Sequence, residues 1–496
     1  MLFNSYIFIF LFLPLSLLGY FLLNHRHKYT AAKVFLVGMS LWFYAYFHIS
    51  YLWIILFSIG INYLCHRLLI KKIYPKAILT GGLCLNIGLL FYYKYFDFVL
   101  ENINALFKAE FSALGILLPL GISFFTFQQV AFLIDTYKGT VPCQNLTDYA
   151  LFVTFFPQLI AGPIVSHEEM LPQFQDLSGK RFQPDNFYKG LHIFVRGLAK
   201  KVLLADTFGQ AVNWGFQYYT VLDGPNSLLV ILFYAIQIYL DFSGYCDMAR
   251  GIGYLFNIRI TVNFLSPYKS RNILEFWDRW HMTLTRFFTR YVYIPLGGNR
   301  KGALRTYVNI MIVYLISGIW HGANWTFILW GVLHGILSVL TRLWHSMKKK
   351  LHLELPDRHI LKEPAKCLST LFTFLFVALA WTFFRADTIS QAVEMITTAF
   401  TFEGEHIFVE LAGFFRLPEF WSIIRLLNLD MHPLAPYFCM VPFVLLALFI
   451  IFFTKNLYET EDNIKPGILN AFGTAFLGVW CVLSLSGVST FLYFNF

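Results

Sequence analysis

The sequence predicts an all-α polytopic membrane protein, and three observations carry that prediction. Only 13% of its 496 residues are charged, while 57% are apolar and 19% aromatic; soluble domains carry about 25% charged residues. Apolar runs such as "YIFIFLFLPLSLLGYFLL" (6–23) and "MVPFVLLALFIIFF" (440–453) recur along the chain, with lengths suited to a bilayer core about 30 Å thick. The basic residues gather in short loops between these runs, at 24–33, 66–76 and 341–366.

In chain order, spans are expected at 5–23, 34–47, 50–65, 78–93, 113–134 and 148–163, and then at 226–241, 304–320, 324–341, 368–383, 436–453 and 467–492. The first run lacks a basic n-region and a small-residue cleavage site, so it reads as a retained helix rather than a removed signal peptide. The positive-inside rule places the basic loops in the cytoplasm. Loops 24–33 and 66–76 flank a two-span hairpin, which sets the N-terminus on the extracytoplasmic side. Residues 384–435 then fall outside, and Glu394, Glu403, Glu405, Glu410 and Glu419 give them an acidic character. Segments 164–225 and 242–300 carry charges and prolines among many aromatics. Irregular backbone survives at membrane depth only where protein buries it or a wet cavity solvates it. Short, tilted or re-entrant helices are expected there. No linker or fixed-period repeat divides the chain, which reads as one membrane domain over 1–496.

The composition also excludes. A net charge of +10 would suit nucleic acid, but the loop distribution of the basic residues accounts for it without such a partner. The seven cysteines are scattered without CxxC spacing, so neither a disulfide framework nor a zinc site is expected, and no metal is.

Two histidines stand out. His321 lies in "GIWHGANWTFILWG" (318–331), where one apolar run ends and another begins, with Gly318 and Gly322 allowing close backbone approach. His281 lies in "RNILEFWDRWHMTLTRFFTR" (271–290). Read as a helix, this segment sets Trp277 and His281 on one face, Asp278 alongside, and Glu275 and Arg279 as an i,i+4 pair. A histidine near a helix end can simply bond a carbonyl, and tryptophans often form interfacial belts. Ionisable groups at membrane depth are nevertheless costly and mark function by default. An imidazole held neutral by an apolar surround can take a proton from a hydroxyl and return one to a leaving group. No Gly-x-Ser-x-Gly elbow, Walker loop or HExxH motif competes with this pair.

Two further stretches carry charge. "FYKGLHIFVRGLAKKVLLAD" (187–206) sets Lys189, Arg196 and Lys200 on one face. The preferred reading is a helix lying in the interface plane; the sharper one is a patch for the phosphates of a cytosolic donor, with Lys200 and Lys201 as candidate donor-binding residues. "QIYLDFSGYCDMARGIG" (237–253) adds Asp241, Asp247 and Arg250, read as an Asp–Arg tether between helices rather than as catalytic groups.

Six stretches together resemble the membrane-bound O-acyltransferase family, in its bacterial alginate and polysaccharide O-acetyltransferase branch. They are "LPLGISFFTFQQVAFLIDTYKG" (118–139), "FPQLIAGPIVSHEEMLPQ" (156–173), "QIYLDFSGYCDMARGIGYLFNI" (237–258), "NFLSPYKSRNILEFWDRWHMTLTRFFTRYVYIPLGGNRKG" (263–302), "SGIWHGANWTFILWGVLHG" (317–335) and "AWTFFRAD" (380–387). The resemblance implies a ring of roughly 11–14 transmembrane and re-entrant helices around a thinned centre, crossed by a tunnel. It implies that His321, in the "WHG" motif, and His281 are the catalytic pair. It also implies relay of an acetyl group from a cytosolic thioester, acetyl-CoA, toward an extracytoplasmic polysaccharide, either an alginate-like exopolysaccharide or peptidoglycan, from a bacterial inner membrane. An exported SGNH-hydrolase-like acetyltransferase is the implied partner for the final transfer, and the absence of a glycan-gripping soluble domain is consistent with that. Within the enzyme class the alternatives are D-alanyl transfer to teichoic acid and lipid O-acylation. Outside it, a transporter with a histidine proton relay would call for paired broken helices in inverted repeats, which the sequence lacks, and a scaffold would not need two buried histidines.

Overall fold

The computed structural model describes residues 1–351, 359–401, 403–404, 406–485 and 492, and every regular element among them is a helix. Glu405, part of the basic 341–366 loop and the end of the expected 467–492 span lie outside the described residues. Eight helices are long and apolar enough to cross a membrane: Phe8–His25, Tyr51–Ile70, Pro75–Lys94, Gly224–Leu255, Ala303–His321, Trp325–Lys350, Glu363–Arg385 and Ala435–Phe452. The chain is an all-α polytopic membrane protein.

Two expected spans, 113–134 and 148–163, come out shorter or broken. The one over 34–47 is the helix Tyr29–Ala45, of 17 residues, and the described part of the last is Ile468–Leu483. The 113–134 run is helical only from Ile122, because Gly115 and Gly121 take left-handed backbone at φ 61° and 73°. The 148–163 run stops at Phe155 (ψ 107°), two residues before Pro157. A Cβ on Gly162 would sit 2.5 Å from the Gln158 Cα, so the chain here folds tightly on itself. Hydropathy finds apolar residues; it does not see backbone that glycine and proline interrupt.

The chain divides into two compact units, Met1–Leu198 with Gly244–Asn263 and Glu461–Phe496, and Ala199–Ser243 with Phe264–Thr460. In the first, Phe12, Phe43 and Phe156 pack at ring separations of 5.1 Å (Phe12–Phe156) and 5.5 Å (Phe43–Phe156). Buried amides of Asn62 and Asn86 bond each other at 3.1 and 2.7 Å, so neither is left unsatisfied. Gly190 and Gly197 of the Pro184–Ala199 helix press against the backbone at Gly251 and Gly244. That helix is therefore packed by its small residues. Arg250 pairs with Glu461, which also accepts from the Tyr254 hydroxyl at 3.2 Å. Arg250, expected in an Asp–Arg tether, takes a glutamate distant in sequence.

In the second unit, Ala303–His321 and Trp325–Lys350 form a tight antiparallel corner. A Cβ on Gly318 would lie 2.5 Å from the Phe327 carbonyl oxygen. One on Gly331 would run into the Tyr314 carbonyl and lie 3.1 Å from the Gly318 Cα. Helices in lipid associate through such close small-residue contacts, since no hydrophobic drive separates helix from solvent there. Asn324 caps the second helix by accepting from Thr326 N at 3.0 Å and bonds the Asp387 carbonyl at 2.9 Å. Gly331→Ala should therefore force the corner apart at a cost of about 1–3 kcal/mol and lower the melting temperature in detergent. Gly88→Ala, whose Cβ would meet nothing within 4 Å, should leave it unchanged or raise it.

Candidate active site

The glycine corner positions His321 as the last residue of its helix, where it is only 4% exposed. Its Nδ1 lies 2.6 Å from the Ser317 carbonyl oxygen. A carbonyl only accepts, so Nδ1 carries the proton and Nε2 the lone pair: the neutral tautomer is fixed with its basic nitrogen away from the anchor. Three aromatic rings wall the imidazole in, with centroids 4.8 Å (Trp320), 4.9 Å (Trp330) and 5.3 Å (Phe384) away.

His281 reaches the same chamber by a different local device. The Ile273–Arg279 helix, started by Asn272 accepting from Leu274 N and Glu275 N at 3.0 Å, ends at extended Trp280. His281 then adopts left-handed backbone (φ 46°, ψ 49°) and begins the Met282–Phe288 helix, its carbonyl accepting from Leu284 N and Thr285 N. The continuous helix expected through 281 is thus broken. Glu275 and Arg279 do pair, at 2.8 Å, but Asp278 is exposed and Trp277 does not share a helical face with His281. A non-glycine residue at positive φ costs of order 1–3 kcal/mol, and such residues cluster at functional sites.

His281 is completely buried, with Phe242 at 5.0 Å and Trp320 at 6.3 Å, both edge-on. Trp320 therefore touches both imidazoles. The two sequence-predicted histidines, 40 positions apart, meet around one indole.

A third histidine escaped the sequence reading. His334 is completely buried one turn after Trp330, with ring centroids 4.9 Å apart, and its Nδ1 accepts from the Trp277 indole N–H at 3.3 Å. That bond fixes its proton on Nε2, which has no hydrogen-bond partner among the described residues. The stretch "GVLHG" carried the signal, a lone imidazole between glycines inside an apolar span. Trp277, Trp330 and Trp381 complete the surround, with Trp330 and Trp381 stacked at 5.5 Å.

Beside this cluster lies a cavity of about 260 Å³, lined by Trp277, Asp278, Thr285, Tyr314, Ser317 and Arg342 among others. It borders Ser317, the anchor of His321, and Trp277, the partner of His334; His281 and His321 do not line it.

Of the donor-binding candidates, Lys201 is 2% exposed and paired to Asp206 at 2.7 Å and to Asp241 at 2.6 Å. Burial alone would lower its pKa, but Asp241 and then Asp206 outweigh that and hold the ammonium above its ordinary value. Its charge is spent inside the protein, which removes the basis for reading it as a phosphate ligand. Lys200 is half-buried on the same π-helical turn, Lys200–Ala205.

Residues 144–361, which include all three histidines, match the model of the membrane-bound O-acyltransferase family. The chain is 40% identical to the peptidoglycan O-acetyltransferase of Helicobacter pylori, over 100% of this chain and 98% of that protein. It is 35% identical to the probable alginate O-acetylase AlgI of Pseudomonas putida, over 81% of each chain. A more distant relative is the teichoic acid D-alanyltransferase of Bacillus subtilis, 28% identical over 47% of this chain and 60% of that one. These relatives identify an acyltransferase: the chain belongs to the membrane-bound O-acyltransferase family.

Proposed function

We propose that this protein takes an acetyl group from a cytosolic thioester, acetyl-CoA, and relays it across the bacterial inner membrane for O-acetylation of a cell-envelope polysaccharide. The acceptor class is peptidoglycan or an alginate-like exopolysaccharide, in keeping with the relatives' names. An exported SGNH-hydrolase-like acetyltransferase is the partner that completes the transfer.

The observation that carries the reading is the pair of buried imidazoles joined by Trp320, one of them pinned in its base-ready tautomer. In the proposed step, His321 Nε2 takes the proton of an acceptor hydroxyl as its oxygen attacks the thioester carbonyl. The C–S bond then breaks, and the imidazolium returns its proton to the departing thiolate. His281 orients the acceptor or stabilises charge on the carbonyl oxygen, where transition-state binding gains most. Aromatic walls exclude water that would hydrolyse the acyl group.

His321→Ala should lower acetyl transfer in membranes by about 10²–10⁴-fold, the range for loss of a general base. Expression and melting temperature should stay near wild type, and full retained activity would return His321 to a packing role. His281→Asn, which keeps a hydrogen-bonding group, should retain more activity than His281→Ala. The basic loops are assigned to the cytoplasm and the N-terminus to the outside, so labelled acetyl-CoA should label product or partner only when offered to inside-out vesicles. Equal labelling in right-side-out vesicles, or a requirement for a carrier-protein thioester, would contradict the donor assignment; the latter would favour D-alanyl transfer.

A further inference from the structure

Within the first unit, the end of the Leu13–His25 helix faces the chain leading into the Pro184–Ala199 helix across a cleft of about 1470 Å³. Ordinary small-molecule pockets measure roughly 300–1,000 Å³, so this one suits something larger. Its walls are apolar: Leu17, Leu18, Phe21 and Leu22 on one side and Phe182 on the other, with Phe21 and Phe182 edge-to-face at 5.5 Å. Leu18 and Phe182 are 68% and 53% exposed.

The rim is cationic. His25, His27, Lys180 and Arg181 all line the cleft, and His25, His27 and Arg181 are exposed. Of the nearby carboxylates, Asp148 pairs with Lys33 at 2.6 Å, while Asp176 accepts from Ser178 N at 2.9 Å and Ser178 Oγ at 2.6 Å and keeps its charge, so the basic groups of the rim outnumber the acidic ones. Asp185 is exposed in the first turn of the following helix. Lys180 lies 3.4 Å from the Tyr20 hydroxyl and 3.5 Å from the Gln173 carbonyl. Burial, with Lys33 acting in the same direction, pulls its pKa down to about 8; an anion at the rim would hold it charged.

Next to the basic end sits Asn24, 4% exposed, whose side chain interacts with the Tyr20 hydroxyl and keeps hydrogen-bonding capacity to spare among the described residues. Unmet capacity on a buried amide is costly, and an occupant offering acceptors and a donor would satisfy it. Apolar walls, one buried amide and a basic rim occur here in that order from the depth of the helix to its basic end. The same order runs from acyl chains through a glycerol ester to a phosphate.

We propose that this cleft binds an anionic phospholipid, with its phosphate at Lys180 and Arg181, its ester and glycerol groups at Asn24, and its chains along Leu17, Leu18, Phe21 and Leu22. The loop that carries His25 and His27 is one of those assigned to the cytoplasm, the face where basic clusters meet anionic lipid. The site is separate from the histidine cluster and stands independently of the acyl-transfer reading.

The test uses the full-length protein purified in detergent, with native mass spectrometry counting bound phosphatidylglycerol, and phosphatidylcholine as the neutral probe. Wild type should retain phosphatidylglycerol in preference to phosphatidylcholine. Arg181→Gln, at an exposed position where folding is not at stake, should weaken that binding about fivefold, and Lys180→Gln with Arg181→Gln by about that factor again. Lys366→Gln, an exposed basic position elsewhere, should change nothing. Undiminished phosphatidylglycerol binding in Arg181→Gln, or equal binding of the neutral lipid to wild type, would overturn the proposal. So would Arg181-dependent binding of coenzyme A or inorganic phosphate in place of the lipid.

Discussion

The contact on which the site depends is the backbone approach of Gly318 to Gly331. Any side chain at either position would strike the facing helix. Because the helices meet there, Trp330 packs edge-on against His321, and His334 follows one turn later on the same face. In lipid, where apolar side chains gain little by leaving their surroundings, close packing must hold such a corner. Small residues at the crossing and large indoles around it meet that requirement together.

The corner also explains how imidazoles are tolerated at this depth. His321 spends one nitrogen on the Ser317 carbonyl of its own helix, and His334 accepts from the Trp277 indole. Each bond sets a tautomer, so Nε2 is the basic nitrogen in His321 but carries the proton in His334. His281 is held by strained backbone rather than by helical register. Local rules broken at one buried polar residue, beside another pinned in a reactive form, are what a site that stores strain for function leads one to expect.

Much of this was legible in the chain. The bilayer imposes length and apolarity on its spans, so the fold class and helices such as Tyr51–Ile70 and Ala303–His321 follow from hydropathy alone. His281 and His321 were legible because an ionisable ring stands out in an apolar run. The break at Trp280 and His281 was not, since neither glycine nor proline marks it and the helical spacing around Glu275 and Arg279 is sound. Arg250 pairs with Glu461 across 211 positions, and Lys201 takes the aspartate first assigned to an arginine tether. Such partners are chosen by tertiary packing, which spacing along the chain cannot encode. His334 was overlooked for a simpler reason: in mid-span, with no charge or helix break nearby, its signal was that of a core residue.

The central claim is that His281 and His321 act as one unit around Trp320, and initial rates of acetyl transfer for wild type, His281→Ala, His321→Ala and the double variant test it directly. Groups that share a transition state are strongly non-additive when removed together. A shared site leaves the double variant scarcely slower than His321→Ala alone. A double variant slowed by the product of the two single effects would mean that the histidines act independently, and would contradict a shared site.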